Sequence, residues 1–519
     1  MQFLLPRLKT TWVVLALALP WLNPLTFGPT SSAAQSLLTA VCAALVLAVF
    51  AWQRNPLDLA TVSARAWLLA AALSAVLGLL QYFGFSAALA PWVNYAQPGE
   101  AFANLRQRNQ FATLSSIGLA ALLWWQSTGP AGRPTAALAL SAMVGSKLYR
   151  FAVFLQYTPW VPLAMAVLLG AGLAASASRA GLLQLLLLLG LSLWWGGWRR
   201  APVRRVLVAA ALAYVVAALV LPLLLGQERG ILSRFNEPAE SSYSRVVLWG
   251  NVLHLIAQKP WLGWGWGELD FAHFITVYPG ARFNDLLDNA HNLPLHLAVE
   301  LGLPLALLIC TLLLLLVWRG QPWREANATR QMAWSVLAAI GLHSLLEYPL
   351  WYGPFQLAVV LCVLLLSFTP GTVQTHTRPL FGGVIKPLAL AKRGLLAGCL
   401  LVMTTWVGWD YVRVSQIYLP PAVRLPAFRD KPLEAVQGLV FFQDQLKFAD
   451  FAMVTLTPDN AASVRARGLE LLHFSPEASV LEKLIASQRL QGRLDEAAYY
   501  LERFQASYPD NYQKFIKNN

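Results

Sequence analysis

The sequence predicts an all-α, polytopic membrane protein of about eleven transmembrane helices, with a large outer loop and a small helical C-terminal domain. Three observations carry that reading. Hydrophobic residues make up 57% of the 519 and charged residues only 12%. The apolar runs approach the roughly 20 residues that a bilayer crossing needs. Lys and Arg gather between them, at Arg7 and Lys9, Arg54 and Arg65, Arg133 with Lys147 and Arg150, Arg199 to Arg205, Arg319 to Arg330, and Lys386 to Arg393. Under the positive-inside rule each cluster falls on one side, with the N-terminus in the cytoplasm. This composition excludes a soluble enzyme. The net charge of +14 is largely orientation signal and needs no nucleic acid to explain it. The four cysteines, Cys42, Cys310, Cys362 and Cys399, all lie inside apolar runs, where a thiol packs as a small apolar group and a disulfide framework is not expected.

In chain order, spans are expected near 11–27, 35–52, 66–84, 110–126, 151–173, 181–198, 205–225, 293–317, 331–349, 353–369 and 395–412. The first is read as a helix rather than a signal peptide, because no small-residue cleavage site follows it. The stretch 135–176 is long enough for two crossings. One crossing keeps Arg199 to Arg205 on the inner side, so 135–146 is read as interfacial. The transmembrane domain then covers 1–412, and the loops 85–109, Ser178-Arg179, 226–291 and 347–353 and the tail 413–519 all face outward.

The first outer loop ends Asn104-Leu105-Arg106-Gln107-Arg108-Asn109-Gln110. Two arginines on the side normally depleted of positive charge suit a phosphate-like anion, or else they snorkel toward headgroups. Arg179 stands between two apolar runs, where a charge is expensive; it is a functional candidate or one half of a structural pair. Gln184, one turn later, either shares its site or bonds between helices.

The segment 226–291 is too long for an idle connection. Ser241-Ser242-Tyr243-Ser244-Arg245 opens a capped amphipathic helix that runs to about Gln258 and breaks at Pro260. Gly263-Trp264-Gly265-Trp266-Gly267 follows, with glycines for tight turns and indoles that anchor at an interface or stack on a sugar. His254 and His273 read as surface or packing residues.

The centre of the pattern is Asn289-Ala290-His291-Asn292-Leu293-Pro294-Leu295-His296 at the mouth of the eighth span. Asn289 or Asn292 caps the helix, Pro294 sits in its first turn, and His291 lies near its positive end, which favours a neutral, proton-accepting imidazole. Asp285 and Asp288 could orient that ring, hold a divalent ion or cap the helix. The sequence contains no HExxH or paired CxxC, so no metal is expected. His296 lies about 140° around an ideal helix from His291, so the two are not paired as ligands. At the end of the ninth span, His343 and Glu347 share a face. Glu347 can hold an arginine, and Tyr348 and Tyr352 either contact sugar or phosphate or anchor at the interface. In the tail, Ala478 to Phe504 with Gly492 between two helical patterns resembles one tetratricopeptide-like hairpin, a common partner surface.

An outer face that gathers arginines, one histidine, a carboxylate and aromatics beside lipid fits group transfer from a lipid diphosphate, with one base and charge stabilisation at the leaving group. The His291-Asn292 element leading into Leu297-Ala298-Val299-Glu300-Leu301-Gly302 resembles the core of the bacterial O-antigen ligase and polymerase superfamily. Together with Gln81-Tyr82-Phe83-Gly84, the 104–109 motif, the Gly-Trp repeat and Glu347-Tyr348-Pro349-Leu350-Trp351-Tyr352, it resembles the PglL-type protein O-oligosaccharyltransferases over most of the chain, although Ser141 to Trp160 departs from the pattern.

The resemblance implies a GT-C-like enzyme of the bacterial inner membrane with its site and tail in the periplasm. Such an enzyme moves a preassembled glycan from undecaprenyl diphosphate to Ser or Thr of a periplasmic protein such as a pilin, without a metal or other cofactor. His291 matches the family histidine proposed to deprotonate the acceptor, Arg245 and Arg179 suit the diphosphate, and Tyr348 matches a functional tyrosine. Arg108, Asn292, Glu347, Tyr352 and Gln184 complete the expected substrate contacts. The alternatives are a ligase or polymerase acting on a glycolipid acceptor, a transporter of lipid-linked glycan, and a non-enzymatic scaffold that recruits pilins through the tail.

Overall fold

A computed structural model of the chain describes residues 4–25, 28–51, 58–128, 160–226, 244–371 and 390–518. The expected interfacial stretch 135–146, the start of the fifth span and Ser241 to Tyr243 lie outside them. Every regular element among the described residues is helical. In the first half these are α1 (Leu4–Leu22), α2 (Ser31–Ala51), α3 (Leu59–Tyr82), α4 (Arg108–Thr128), α5 (Trp160–Ala175), α6 (Arg179–Trp194) and α7 (Ala201–Leu224). Then come α8 (Arg245–Gln258), α9 (Leu269–Ile275), α10 (Leu293–Leu301), α11 (Leu303–Gly320), α12 (Ala328–Ser344), α13 (Gly353–Phe368) and α14 (Leu390–Tyr418). The C-terminal region adds α15 (Gln443–Met453), α16 (Ala461–Leu471), α17 (Ala478–Leu490), α18 (Leu494–Ser507) and α19 (Pro509–Asn518).

Among the described residues, α2, α3, α7, α11 and α14 carry segments long and apolar enough to cross a membrane, and α1, α5, α6 and α13 contribute shorter apolar helices. The protein is a multi-pass membrane protein. Its main core is shared by α1, α3, α4, α5, α7, α12 and α13, centred on Trp21, Trp67, Phe111, Leu114, Leu169 and Phe355. Helices that compete with apolar lipid tails pack through small residues, because only these let backbones approach. A Cβ on Gly170 would come within 2.4 Å of the Ala210 carbonyl oxygen, and one on Gly118 would meet Ala71 at the same distance. By contrast α11 buries only Ala306 and turns Leu307, Leu312 and Leu314 outward, the all-round apolar surface of a helix facing lipid.

The expected single span over 293–317 is two helices. The chain breaks at Gly302 (φ +84°), where a Cβ would come within 2.2 Å of the Trp261 carbonyl oxygen. A helix end leaves backbone carbonyls without partners, and in an apolar layer these must be satisfied internally. The Gly-Trp loop does this, since Trp264 N donates to Val299 O at 2.8 Å and Gly265 N to Glu300 O at 3.0 Å. On the other side of the break Leu303 N donates to Pro260 O at 2.8 Å. Trp264 is therefore no lipid anchor: its indole N–H donates to Leu255 O at 3.0 Å and Lys259 covers the ring at 3.9 Å.

The last span runs on to Tyr418, past the expected boundary at 413, and the tail is fastened to it. Backbone N–H groups of Val440 and Phe441 donate to Asp410 Oδ2 at 2.9 and 3.1 Å. The tail contains the expected hairpin as α17 and α18, turned at Gly492. Its core also takes in a residue of the distant 226–291 loop: Phe274, on α9, is buried with Phe451, Leu481, Leu484 and Phe504. Arg503 Nε donates to Ile275 O at 2.9 Å, and His473 Nδ1 meets Glu268 Oε2 at 2.7 Å.

Candidate active site

Five chain segments far apart in sequence meet at one end of the bundle, and Glu347 is where they join. It lies in the turn after α12, buried to 5% exposure, and each of its carboxylate oxygens accepts two hydrogen bonds. Oε1 receives Arg245 Nη2 at 2.5 Å and Asn109 Nδ2 at 3.1 Å; Oε2 receives His291 Nδ1 at 2.5 Å and Gln107 Nε2 at 3.1 Å. Burial pushes this carboxyl upward, but the hydrogen bonds and charges of His291 and Arg245 outweigh it and hold it at about 2. It is an anion at any physiological pH.

That anion settles the histidine tautomer. An ionised carboxylate has no proton to donate, so the proton between Glu347 and His291 sits on Nδ1, and in the uncharged form of the ring the lone pair is on Nε2. Arg245 Nη2 also lies 3.0 Å from Nδ1, but its proton goes to Glu347, because a protonated Nδ1 cannot accept. Among the described residues nothing occupies Nε2. The imidazole, whose side chain is 17% exposed, is thus oriented through Nδ1 by a carboxylate, the relationship found between Asp and His in hydrolase triads.

The backbone is specialised here too. His291 adopts φ +50°, uncommon outside glycine, and its N–H donates to Asn289 Oδ1 at 2.9 Å. Trp249 of α8 donates its indole N–H to Ala290 O at 3.1 Å, clamping the turn. Asn292, one residue on, is the cap of α10: its Oδ1 accepts from Leu295 N at 3.1 Å and its Nδ2 donates to Leu345 O at 3.0 Å. Both ends of that side chain are bonded to backbone, which makes Asn292 a strut between the start of α10 and the end of α12. Arg245 opens α8 behind the cap Ser244, and its side chain keeps 35% exposure while bonded to Glu347.

Arg179 is the first residue of α6 and is exposed; its neighbour Ser178 caps the helix and donates to Asn109 Oδ1 at 2.6 Å, which ties this helix start into the Glu347 network. Tyr348 meets the His291 ring edge-on at 4.9 Å, and Tyr352 lies behind it at 6.0 Å with nearly parallel planes. Burial raises both phenols, keeping their protons on as donors. Arg108 bonds to Glu100 Oε1 at 3.2 Å at the rim. Gln184 is fully buried, donating to Thr113 Oγ1 at 2.8 Å and Ala339 O at 3.1 Å and accepting from Ser116 Oγ at 3.2 Å. It joins α6, α4 and α12, the interhelical bonding that was the other reading of its position. Sequence reasoning passed over Gln107, Asn109 and Ser178, whose signal was a cluster of amides and hydroxyls at helix starts bordering apolar runs.

Fold and site together define a multi-pass membrane protein with a carboxylate-oriented histidine, flanked by arginine, at the mouth of its helical bundle. Comparison with known proteins finds similarities over separate stretches of the chain. Residues 331–519 match the family described as "Virulence factor membrane-bound polymerase, C-terminal", residues 164–310 match "O-Antigen ligase", and residues 101–125 match "Protein glycosylation ligase". A general O-oligosaccharyltransferase of Acinetobacter baylyi is 28% identical over 182 residues, 35% of this chain and 30% of that protein. A ComP-specific O-oligosaccharyltransferase of the same organism is 27% identical over 168 residues, 32% of this chain and 28% of that protein. The chain thus aligns with less than a third of the length of each relative. Over these stretches the chain is similar to O-antigen ligases, to protein glycosylation ligases and to O-oligosaccharyltransferases.

Proposed function

We propose that the protein transfers a preassembled glycan from undecaprenyl diphosphate to a Ser or Thr hydroxyl of a periplasmic protein such as a pilin, at the outer face of the bacterial inner membrane. The observation that carries this reading is the shared carboxylate of Glu347, which holds His291 as a base and Arg245 as a cation within one site. In the reaction the acceptor hydroxyl gives its proton to His291 Nε2 while its oxygen bonds to the anomeric carbon, and the bond from that carbon to the diphosphate oxygen breaks. Undecaprenyl diphosphate leaves with the electron pair. The exposed guanidinium face of Arg245, with Arg179, meets the charge that develops on it. Glu347 stabilises the imidazolium formed in that step.

The experiment is glycan transfer in membranes supplied with lipid-linked glycan and an acceptor protein, read by intact mass. His291→Ala abolishes transfer if the assignment is right; transfer at the wild-type rate sinks it. A ligase acting on a glycolipid acceptor is the second reading, motivated by the O-antigen ligase match, and the same assay separates them by whether the glycan arrives on protein or on lipid.

A further inference from the structure

Two motifs remain outside this mechanism: the second tryptophan of the Gly-Trp repeat and the Leu350-Trp351 pair after Glu347. They are 85 positions apart in a chain of 519 residues, yet the structure brings them together. The indoles of Trp266 and Trp351 lie nearly parallel, 14° apart with centroids at 6.3 Å. His296, only 2% exposed, stands edge-on to both, 4.9 Å from Trp351 and 6.1 Å from Trp266, and its Nδ1 is buried without a partner. Trp266 itself is 63% exposed.

We propose that Trp266 and Trp351 form a sugar-stacking subsite for the part of the donor glycan beyond the sugar being transferred. This deepens the glycan-transfer reading and rests on it. The pair adjoins the site through the chain: the His291 ring meets Tyr348, Tyr348 meets Tyr352, and Trp351, whose ring meets Trp266, lies between these tyrosines in sequence. The C–H-rich face of a pyranose stacks on a flat indole, and Trp266, held parallel to Trp351, keeps most of its surface open to one. An anchoring tryptophan has a different form, set singly with its ring among lipids. Trp266 instead sits in a turn fixed from within, by the bonds of Trp264 N and Gly265 N to the end of α10, so an exposed indole is held with little freedom to lose on binding.

The test uses the full chain in membranes with a saturating acceptor peptide and two undecaprenyl-diphosphate donors sharing the same first sugar, one carrying a single sugar and one carrying four. For Trp266→Ala the expected result is a KM for the four-sugar donor raised about tenfold, a change of less than twofold for the one-sugar donor, and kcat within twofold for both. Trp351→Ala should show the same selectivity, and Trp266→Phe should recover most of the loss. Equal losses with both donors overturn the subsite in favour of an anchoring or structural role, and a rise confined to the KM of the acceptor peptide assigns the pair to the acceptor instead. Absence of transfer by the wild-type protein with either donor overturns the glycan-transfer reading itself, an outcome read before any variant is compared.

Discussion

Glu347 and His291, 56 residues apart in the chain, are joined Oε2 to Nδ1 at 2.5 Å, and the same carboxylate holds Arg245 through its other oxygen. One buried anion therefore fixes both the proton-accepting nitrogen and the nearest cation.

If that anion sets the tautomer of His291, Glu347→Gln should leave a folded protein that transfers glycan roughly 10²–10⁴-fold more slowly, with the donor KM changed far less than kcat. Steady-state transfer assays on membranes with matched protein levels decide it. A Gln variant retaining more than half the wild-type rate would remove Glu347 from the mechanism.

Arg245 is bonded to Glu347 and, under the proposed function, also meets the leaving diphosphate, a pairing that a lysine ammonium cannot reproduce because it is a point charge without the planar fork. Arg245→Ala is expected to lose on the order of 10²–10³ in rate, and Arg245→Lys to recover only a small part of it. The same assay run with Arg179→Ala measures how far the second arginine shares the charge.

The pH dependence of stability follows from two carboxyls displaced in opposite directions. Glu347 is held below its ordinary value, at about 2, so its contribution is complete above about 4.5 and disappears as pH falls from there toward 2. Asp270, on α9, is raised by burial to about 7, with Asp288 and Glu268 adding to the rise. The unfolded chain ionises this group near 3.8, so it destabilises the native state increasingly as pH climbs from there to 7. Asp270→Asn keeps the oxygen that accepts from Phe271 N and should raise the melting temperature by a few degrees at pH 8, with little change at pH 4. Thermal unfolding in detergent at the two pH values checks the sign, and an equal shift at both would contradict it.

Gly302→Ala should prevent accumulation of folded protein. The added Cβ would overlap the Trp261 carbonyl oxygen, which is backbone and has nowhere to move, and φ there is +84°. Gly250→Ala, on the α8 helix with nothing near its Cβ position, is the matched control that should accumulate normally. Both are read by membrane protein level and monodispersity in detergent.

Much of the bundle was legible because hydropathy reports helices directly: the starts of α4, α6, α8 and α13 fall within a few residues of where the sequence places them. The chemistry-bearing residues were legible as types, since a histidine at a helix mouth or a carboxylate at a membrane boundary has few bland explanations. Their pairing was not. Nothing local to Glu347 says that it meets His291 rather than His343, one turn before it, because that choice is made by how α12 packs against α10 and α4. Gln107 and Asn109 were overshadowed by the arginines between and beside them, although the amides are what touch the carboxylate. The break at Gly302 escaped because Leu301-Gly302-Leu303-Pro304 is apolar throughout and hydropathy cannot see a kink; glycine followed two residues later by proline was the signal that was there.

The capture of Phe274 inside the C-terminal helices bears on how this molecule can be rearranged. A graft that exchanged everything after Tyr418 for the corresponding part of a relative would tear one aromatic out of its own hydrophobic centre and leave it facing a foreign one. The natural seam runs through two places in the sequence at once, near 268–275 and after 418, so these stretches should change together whenever the C-terminal helices are exchanged.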